Sequence, residues 1–180
     1  MTLSCIIVGA SHAGAELALT LRKEGWQDPI VVIGDEPYLP YHRPPLSKKF
    51  LVSDQDVDDI LIRKCDFFEK ISVIFQLDTR VIEIDRSNKM VTLGNGEILS
   101  YHKLALCTGS RVRKLSLPGC ELQGIHYLRS IDDATAIKCA VKPKCKAVIV
   151  GGGYVGLEIA ASLNQLGVHV TILEMEARVL

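Results

Sequence analysis

This chain carries the same sequence pattern twice. The first copy, from Cys5, reads CIIVGASHAGAELALTLRKEGWQDPIVVIGDE, and the second, from Ala147, reads AVIVGGGYVGLEIAASLNQLGVHVTILEME. In both copies an apolar β-branched run leads into a glycine turn, apolar residues at helical spacing, a further glycine and another β-branched run. That order is typical of a βαβ unit, whose two strands are parallel. We therefore predict an α/β fold with two Rossmann-like dinucleotide-binding units.

The segment between the two copies has a different periodicity. Short β-prone runs surround the pair Asn95–Gly96, which is a strong signal for a tight hairpin. We expect an antiparallel β-meander there, inserted between two units of the three-layer ββα type, and a helix over Ile131–Val141. The pattern is interrupted at Pro118 and Gly119. Residues 1–113 are accordingly expected to form the first domain, and residues 114–180 a second, incomplete one.

Composition excludes several classes of partner. The 21 basic and 21 acidic side chains give a formal net charge of zero, without the basic excess that nucleic-acid binding needs. The charge-free run Ala147–Leu157 is shorter than the ~18 residues of a membrane span, and no basic segment precedes the apolar start MTLSCIIVGA. The six cysteines lack the spacing of a zinc site. We expect a cytoplasmic protein with no nucleic-acid partner, no membrane partner and no metal site.

The second glycine turn, GGGYVG, fits the dinucleotide-binding pattern GxGxxG with Gly151, Gly153 and Gly156. The first glycine permits the tight turn, the second admits a pyrophosphate, and the third lets the helix pack closely on the strand. Glu174 ends the next predicted strand, where a carboxylate accepts hydrogen bonds from a ribose 2′-hydroxyl and repels a 2′-phosphate. The turn therefore predicts a site that prefers NADH to NADPH. The alternative role for Glu174 is a solvated strand end.

The first glycine turn, GASHAG, keeps Gly9 and Gly14 but has Ser11 in place of the middle glycine. Serine adds a Cβ where a phosphate should approach, yet it is small, and its hydroxyl can donate to a phosphate or cap the helix. Asp35 supplies the carboxylate for the ribose, and His12 either faces the ligand or is solvated. Two dinucleotide sites in one chain indicate redox chemistry, with a nicotinamide in one site and a flavin as its simple partner in the other.

Three further stretches bring the sequence close to a known family. They are VVIGDEPYLPYHRPPLSKKFL at Val31–Leu51, LCTGSRVRKL at Leu106–Leu115 and YLRSIDDA at Tyr127–Ala134. With the glycine turns, they make the whole chain resemble the FAD-dependent pyridine nucleotide oxidoreductases, in particular the NADH-dependent ferredoxin, rubredoxin and putidaredoxin reductase branch. The resemblance implies an FAD-binding first domain and an NAD-binding second domain. It also implies a truncated chain, because family members have ~400 residues.

The resemblance and the two turns together assign residues to cofactors. FAD would be held by Gly9, Ser11, Ala13, Gly14, Asp35, Arg43, Lys48, Val81, Thr108, Gly109 and Arg129, and NADH by Gly151, Gly153, Gly156 and Glu174. The resemblance implies catalytic roles for Lys48, near the flavin ring, and for Glu158, beside the nicotinamide. By pattern alone, Arg43 and Lys48 form an ordinary basic loop, and Glu158 is an acid at a helix start that complements the helix dipole.

A missing cysteine narrows the implied reaction. Disulfide reductases of the larger family carry a cysteine pair after the second strand, and NADH oxidase or peroxidase relatives a single cysteine, but Pro37–Ser53 contains none. Electrons would then leave the flavin for an outside acceptor, a ferredoxin or rubredoxin type iron–sulfur protein. The implied function is electron transfer from NADH through FAD to such a protein, as a component of an oxygenase system. The alternatives are a non-catalytic nucleotide-binding fragment of such an enzyme, or another NAD(P)H-dependent flavoprotein such as a nitrite reductase-type subunit.

Overall fold

A computed structural model describes residues 4–180, which form two compact units. The first unit comprises the chain up to His42 together with Leu61–Ser110, and the second comprises Arg43–Ile60 together with Arg111–Leu180. The chain thus leaves the first unit after His42 and returns to it at Leu61. The functional domain limits, 1–113 and 114–180, stay a prediction.

The first unit is built on a parallel four-stranded sheet. Its strands are β1 (Cys5–Val8), β2 (Ile30–Ile33), β3 (Val73–Gln76) and β7 (Lys103–Leu106), in the spatial order β3-β2-β1-β7. Between β3 and β7 the chain forms an antiparallel sheet of β4 (Val81–Asp85), β5 (Met90–Leu93) and β6 (Ile98–Ser100). The Asn95–Gly96 turn lies between β5 and β6. The predicted meander and its hairpin are therefore confirmed.

The parallel sheet lies between the antiparallel sheet and the helices. Ile6 and Ile33 pack in one cluster with Val91 and Leu93 of β5, and all four side chains are almost fully buried. The opposite face carries α1 (His12–Lys23) and α3 (Cys65–Lys70), whose apolar side chains pack with residues such as Ile7. Sheet, sheet and helices make three layers. The predicted α/β class and ββα layering are confirmed for this unit.

Arg22, in the last turn of α1, joins the loop that follows α1 to the residues that precede β3. Its Nε donates to the Ile71 carbonyl at 2.8 Å, and its Nη2 donates to the Ser72 carbonyl at 2.7 Å. Its Nη1 donates to the carbonyls of Trp26 at 2.6 Å and Asp28 at 2.8 Å. One planar guanidinium thus satisfies four main-chain acceptors around the end of α1 and the start of β3.

We expect the substitution Arg22→Ala to lower the free energy of unfolding by about 3 kcal/mol, because it leaves three partly buried carbonyls and one exposed carbonyl without their charged donor. Urea denaturation followed by circular dichroism measures the change. Lys23→Ala, at the exposed neighbouring position, is the control and should change the free energy of unfolding by no more than about 0.5 kcal/mol. Equal effects of the two substitutions would show that the four hydrogen bonds contribute nothing to stability.

The second unit contains the second copy of the repeated pattern. Its elements are a 3₁₀ turn at Pro44–Ser47, α2 (Lys49–Val52), a 3₁₀ turn at Val57–Ile60, α4 (Ile131–Ala140), β8 (Lys146–Val150), α5 (Tyr154–Gln165) and β9 (His169–Leu173). Strands β8 and β9 pair in parallel, which confirms the predicted βαβ unit. Ser130 and Asp133 form a capping box at the start of α4, so the predicted helix is confirmed and has a well-defined first residue.

The residues that the structure describes cover only one of the two faces of the β8–β9 sheet. Leu163 and Val168 are buried on that face, together with partly buried Ile149. On the other face, the side chains of Val148 and Val150 are 62% and 60% exposed. Continuous apolar runs are typical of parallel strands that are covered on both faces. Strands β8 and β9 have such runs although one face of their sheet is open.

None of the helices within residues 4–180 combines the length and the apolar composition that crossing a membrane requires.

Candidate functional site

The first glycine turn lies where β1 ends, at the carboxyl edge of the parallel sheet. Val8 of β1 stands opposite Ile33 of β2, and the Gly9 N–H donates to the Ile33 carbonyl at 2.7 Å. Gly9 has φ +119°, a conformation that favours glycine. A Cβ added to Gly14 would lie 2.0 Å from the Gly9 carbonyl oxygen. Gly14 therefore lets α1 approach the end of β1 closely, as the sequence pattern predicts.

The N-terminus of α1 follows this turn directly. Ser11 is the N-cap residue, and its side chain makes no capping hydrogen bond to the helix. Its carbonyl accepts the N–H of Ala15 at 2.9 Å. The N–H groups of the first turn come before that bond and have no acceptor within the helix. Such N–H groups attract an anion. Nε2 of His12 lies 3.0 Å from Nδ1 of His42, so the ring of His12 pairs with another residue of the same unit.

An exposed carboxylate stands beside this turn. Asp35 follows β2, its side chain is 66% exposed, and its Oδ2 lies 4.0 Å from Nη2 of Arg80. Val81 starts β4 immediately after Arg80. Thr108 and Gly109 follow β7, whose last residue, Leu106, stands opposite Val8. The residues of the first unit that are predicted to bind FAD are Gly9, Ser11, Ala13, Gly14, Asp35, Val81, Thr108 and Gly109, and their contacts with it stay a prediction. A glycine turn, a helix N-terminus and an exposed carboxylate fit the ADP half of FAD.

The second glycine turn repeats this geometry in the second unit. A Cβ added to Gly156 would lie 2.1 Å from the Gly151 carbonyl oxygen, as close as the corresponding pair in the first turn. A Cβ added to Gly153 would meet no atom within 4 Å. Gly156 therefore serves the packing of α5 on β8, whereas the space beside Gly153 is open. An open space at the middle glycine is what a bound pyrophosphate requires.

Glu174, directly after β9, binds the glycine turn itself. Its Oε2 accepts the N–H of Gly152 at 2.5 Å, and its Oε1 accepts the N–H groups of Met175 at 2.7 Å and Glu176 at 3.0 Å. These hydrogen bonds, from Glu176, Gly152 and Met175, lower the pKa of Glu174 below its usual value. Each carboxylate oxygen has two acceptor sites. Oε2 thus keeps one acceptor site for a ribose hydroxyl, which stays a prediction.

An open cavity of about 290 Å³ in the second unit brings together the remaining predicted residues. It is lined by Arg43, Pro44, Leu46, Ser47, Lys48, Leu128, Arg129, Val155 and Glu158. Nζ of Lys48 lies 2.6 Å from Oε2 of Glu158. Nη1 of Arg43 donates to the Arg129 carbonyl at 2.5 Å. Three cationic side chains and one carboxylate line the cavity, which therefore favours an anionic ligand.

The Lys48–Glu158 pair sets the charge state of the carboxylate. Hydrogen bonds from Lys48 first and from Ser47 second lower the pKa of Glu158 below its usual value. The carboxylate therefore stays ionised at neutral pH. The stability that this pair contributes is present above the ordinary glutamate pKa and is lost as the pH falls through the lowered pKa of the folded protein.

Sequence reasoning missed two serines of this site. The Oγ of Ser47 donates to Oε2 of Glu158 at 2.5 Å, and the Oγ of Ser162 donates to the Ser47 carbonyl at 2.7 Å. These contacts join residues more than a hundred positions apart. The available signal was the spacing of Ser162 one helical turn after Glu158, which places both side chains on one face of α5.

Comparison with known proteins matches almost the whole chain. Residues 3–180 match the family model described as pyridine nucleotide-disulphide oxidoreductase. The probable ferredoxin reductase CtmF of Castellaniella defragrans is 41% identical over 175 residues, which are 97% of this chain and 43% of that protein. The rubredoxin-NAD(+) reductase of Pseudomonas putida is 36% identical over 178 residues, which are 99% of this chain and 46% of that protein.

Solved structures agree with these matches. The covalent putidaredoxin reductase–putidaredoxin complex superposes with a TM-score of 0.91 at 36% identity, covering 98% of this chain and 43% of the other. The ferredoxin reductase for the CYP199A2 system from Rhodopseudomonas palustris gives a TM-score of 0.94 at 35% identity, with the same coverage of 98% and 43%. The chain thus spans less than half the length of the relatives that it matches.

Proposed function

This chain belongs to the pyridine nucleotide-disulphide oxidoreductase family, and on that basis we propose that it is the cofactor-binding part of an NADH-dependent reductase of iron–sulfur proteins. The activity is an oxidoreductase reaction in which electrons pass from NADH through FAD to a ferredoxin or rubredoxin type acceptor. One observation carries the proposal. A single chain contains two parallel strand–turn–helix crossings with matching close glycine contacts, at Gly14 and Gly156.

FAD is assigned to the first unit because the groups found there fit it. The turn at Gly9 and the start of α1 would bind the pyrophosphate, and the exposed Asp35 carboxylate would accept hydrogen bonds from the ribose of the ADP half. Ser11 adds a hydroxyl where a glycine is usual, and a hydroxyl can donate to a phosphate. When bound, FAD supplies the chemistry of this activity, because it accepts an electron pair from a nicotinamide and releases electrons singly.

The family resemblance carries the proposed roles of two cations that line the cavity. Arg43 is held by its hydrogen bond to the Arg129 carbonyl, and Lys48 by its ion pair with Glu158. Fixed positive charge favours an electron-rich, reduced flavin. We assign Lys48 and Glu158 as the catalytic pair because both line the cavity and their charged groups lie 2.6 Å apart. Arg43 and Arg129 would contribute positive potential without a proton-transfer role.

NADH is assigned to the second glycine turn. The open space beside Gly153 admits the pyrophosphate, and Glu174 is available for the ribose through its remaining acceptor site on Oε2. An ionised carboxylate at this position repels a 2′-phosphate. The proposal therefore specifies NADH in preference to NADPH.

The preference for NADH gives a direct prediction. We expect Glu174→Gln to lower the ratio of kcat/KM for NADH to kcat/KM for NADPH about tenfold, because the neutral amide no longer repels a 2′-phosphate. Steady-state kinetics with each nucleotide, using a dye acceptor, measure the ratio. Glu176→Gln, two residues further on and exposed, is the matched control and should leave the ratio unchanged. An unchanged ratio in Glu174→Gln would remove Glu174 from the specificity assignment.

The proposed electron acceptor is an iron–sulfur protein. The relatives above are named for ferredoxin and rubredoxin, and one solved relative is joined to putidaredoxin. The stretch Pro37–Ser53 holds no cysteine, so a thiol relay of the disulfide reductases is not available there. All six cysteines are free in the structure, in keeping with a cytoplasmic location, which we retain as part of the proposal.

The proposal is tested by reconstituting the purified chain with FAD and following reduction of a [2Fe–2S] ferredoxin and of a rubredoxin by NADH. We expect reduction of at least one acceptor that depends on both FAD and NADH. Chain without added FAD is the control. FAD-loaded chain that reduces neither acceptor contradicts the proposed activity for this polypeptide.

A second candidate applies to the isolated chain. The open apolar face of β8 and β9, with Val148 and Val150 exposed, resembles a sheet face that a further layer normally covers. A polypeptide with this face open can bind nucleotides without turnover. Calorimetry that detects FAD or NADH binding, together with no reduction of a dye acceptor, would identify this case. Measurable dye reduction would exclude it.

A further inference from the structure

Two buried serines stand out among the described residues. Ser47 and Ser162 are buried, with 5% and 7% of their surfaces exposed. Burying a hydroxyl is unfavourable unless it is hydrogen-bonded. Each of these side chains therefore requires a structural reason, and their partners supply one.

The two hydroxyls connect α5 to the 44–47 turn at two levels. Ser162 donates to the main-chain carbonyl of Ser47 at 2.7 Å, and Ser47 donates to Oε2 of Glu158 at 2.5 Å. Glu158 and Ser162 are one helical turn apart on α5. Lys48 follows Ser47 directly and places its Nζ 2.6 Å from the same Oε2. The two buried serines thus tie the turn that precedes Lys48 to the helix that carries Glu158.

The Ser47 hydroxyl has one proton and two acceptors within reach. The Pro44 carbonyl lies 3.3 Å from Oγ, whereas Oε2 of Glu158 lies 2.5 Å away. A hydrogen bond to an ionised carboxylate is shorter and stronger than one to a neutral carbonyl. The proton therefore points to Glu158.

We propose that Ser47 is a positioning residue that fixes the Glu158 carboxylate beside Lys48. The effect of Ser47 on the reaction with NADH rests on the proposed function. The side chains of Lys48 and Glu158 are 49% and 34% exposed, and an ion pair so exposed to water holds two flexible side chains only weakly. Ser47 is buried and close to both. Its hydrogen bond restricts Glu158 to one position, and Lys48 keeps two further N–H donors for a ligand in the cavity.

The charged groups around Glu158 define the expected pH behaviour. Lys48, directly after the 44–47 turn, contacts it, and Arg43 and Arg129 line the same cavity. All three are cations at neutral pH, and Ser47 adds a neutral donor. Loss of the Ser47 hydroxyl removes a hydrogen bond that favours the ionised carboxylate, so the pKa of Glu158 should rise toward its ordinary value.

The test compares Ser47→Ala with the unsubstituted chain by ¹³C NMR of glutamate side-chain carboxyls, with the Glu158 resonance assigned by its absence in Glu158→Gln. We expect a higher pKa of Glu158 in Ser47→Ala. Ser53→Ala is the matched control, because the Ser53 hydroxyl is exposed and donates to the Lys49 carbonyl. Ser47→Cys keeps a side chain of similar size with a weak donor, and it should raise the pKa also. An unchanged pKa of Glu158 in both Ser47 variants overturns the inference.

A kinetic experiment tests whether Ser47 affects the reaction with NADH. In FAD-loaded protein, the rate constant for reduction by NADH should fall about tenfold in Ser47→Ala, with the acid limb of its pH profile moved to higher pH. Ser53→Ala should change neither. The NMR arm needs no cofactor, so failure of the unsubstituted chain to react with NADH would count against the proposed function alone. A Ser47→Ala variant with normal rates and a normal pH profile would overturn the positioning role.

Discussion

The Gly156→Ala variant is expected to lose NADH binding while it still binds FAD. The added Cβ would lie 2.1 Å from the Gly151 carbonyl oxygen, so α5 must move away from the end of β8. That movement opens the turn whose amides would hold the pyrophosphate. We expect the Kd for NADH to rise about a hundredfold, since a displacement near 1 Å is enough to disrupt a bound geometry. Calorimetry gives the Kd, and the flavin absorbance after gel filtration gives the FAD content.

Gly153→Ala separates folding from binding within the same turn. No atom lies within 4 Å of a Cβ at Gly153, and its φ of −78° suits any residue. We expect the free energy of unfolding to stay within about 0.5 kcal/mol of the unsubstituted value, while NADH affinity falls because the methyl group occupies the pyrophosphate space. If Gly156→Ala binds NADH as the unsubstituted chain does, the second turn is not the nicotinamide site.

The Lys48→Met variant is expected to react with NADH about a hundredfold more slowly. Methionine keeps most of the length of the side chain but removes the ammonium that lies 2.6 Å from Glu158. Without this cation the cavity loses positive potential, and the carboxylate keeps only its Ser47 donor. The expected readouts are a slower anaerobic loss of flavin absorbance in stopped flow and a raised pKa of Glu158.

Lys49→Met provides the control for this effect. Lys49 is adjacent in sequence and exposed, and it does not line the cavity. Its substitution should leave both the rate and the pKa of Glu158 unchanged. A Lys48→Met variant that reacts at the normal rate, or a Lys49→Met variant that is equally slow, would exclude a specific role for the ion pair.

The glycine turns could be predicted because their geometry is local. Gly9 and Gly14 are five residues apart, and the contact that needs Gly14 is with the Gly9 carbonyl. The hairpin at Asn95–Gly96 is local in the same sense, because turn conformation follows from the two residues in it. Structure of this kind is encoded in short windows of sequence, and the structure of the chain confirms it.

The Lys48–Glu158 contact is of a different kind. It joins the 44–47 turn to α5 across most of the chain, and no spacing rule connects the two positions. Resemblance to a family pointed to both residues, whereas pattern alone gave a basic loop and a helix-start acid. The membership of Arg43–Ile60 in the second unit depends in the same way on tertiary packing, which local sequence does not contain.

Burial was the least predictable property. The apolar runs of β8 and β9 match those of strands covered on both faces, yet Val150 is 60% exposed. Conversely, Ser47 is polar and nearly fully buried. Hydrophobicity alone places a serine at the surface, and only the position of Glu158 explains why this one is buried.

An anaerobic titration of the FAD-loaded chain with NADH tests the two-cofactor account most directly. We expect the purified chain to retain flavin absorbance and about one equivalent of NADH per bound flavin to bleach it, since both cofactors exchange one electron pair. NADPH at the same concentration should bleach it more slowly. A chain that stays colourless after incubation with FAD, or whose flavin absorbance NADH leaves unchanged, would contradict the assignment of both glycine turns to one electron-transfer reaction.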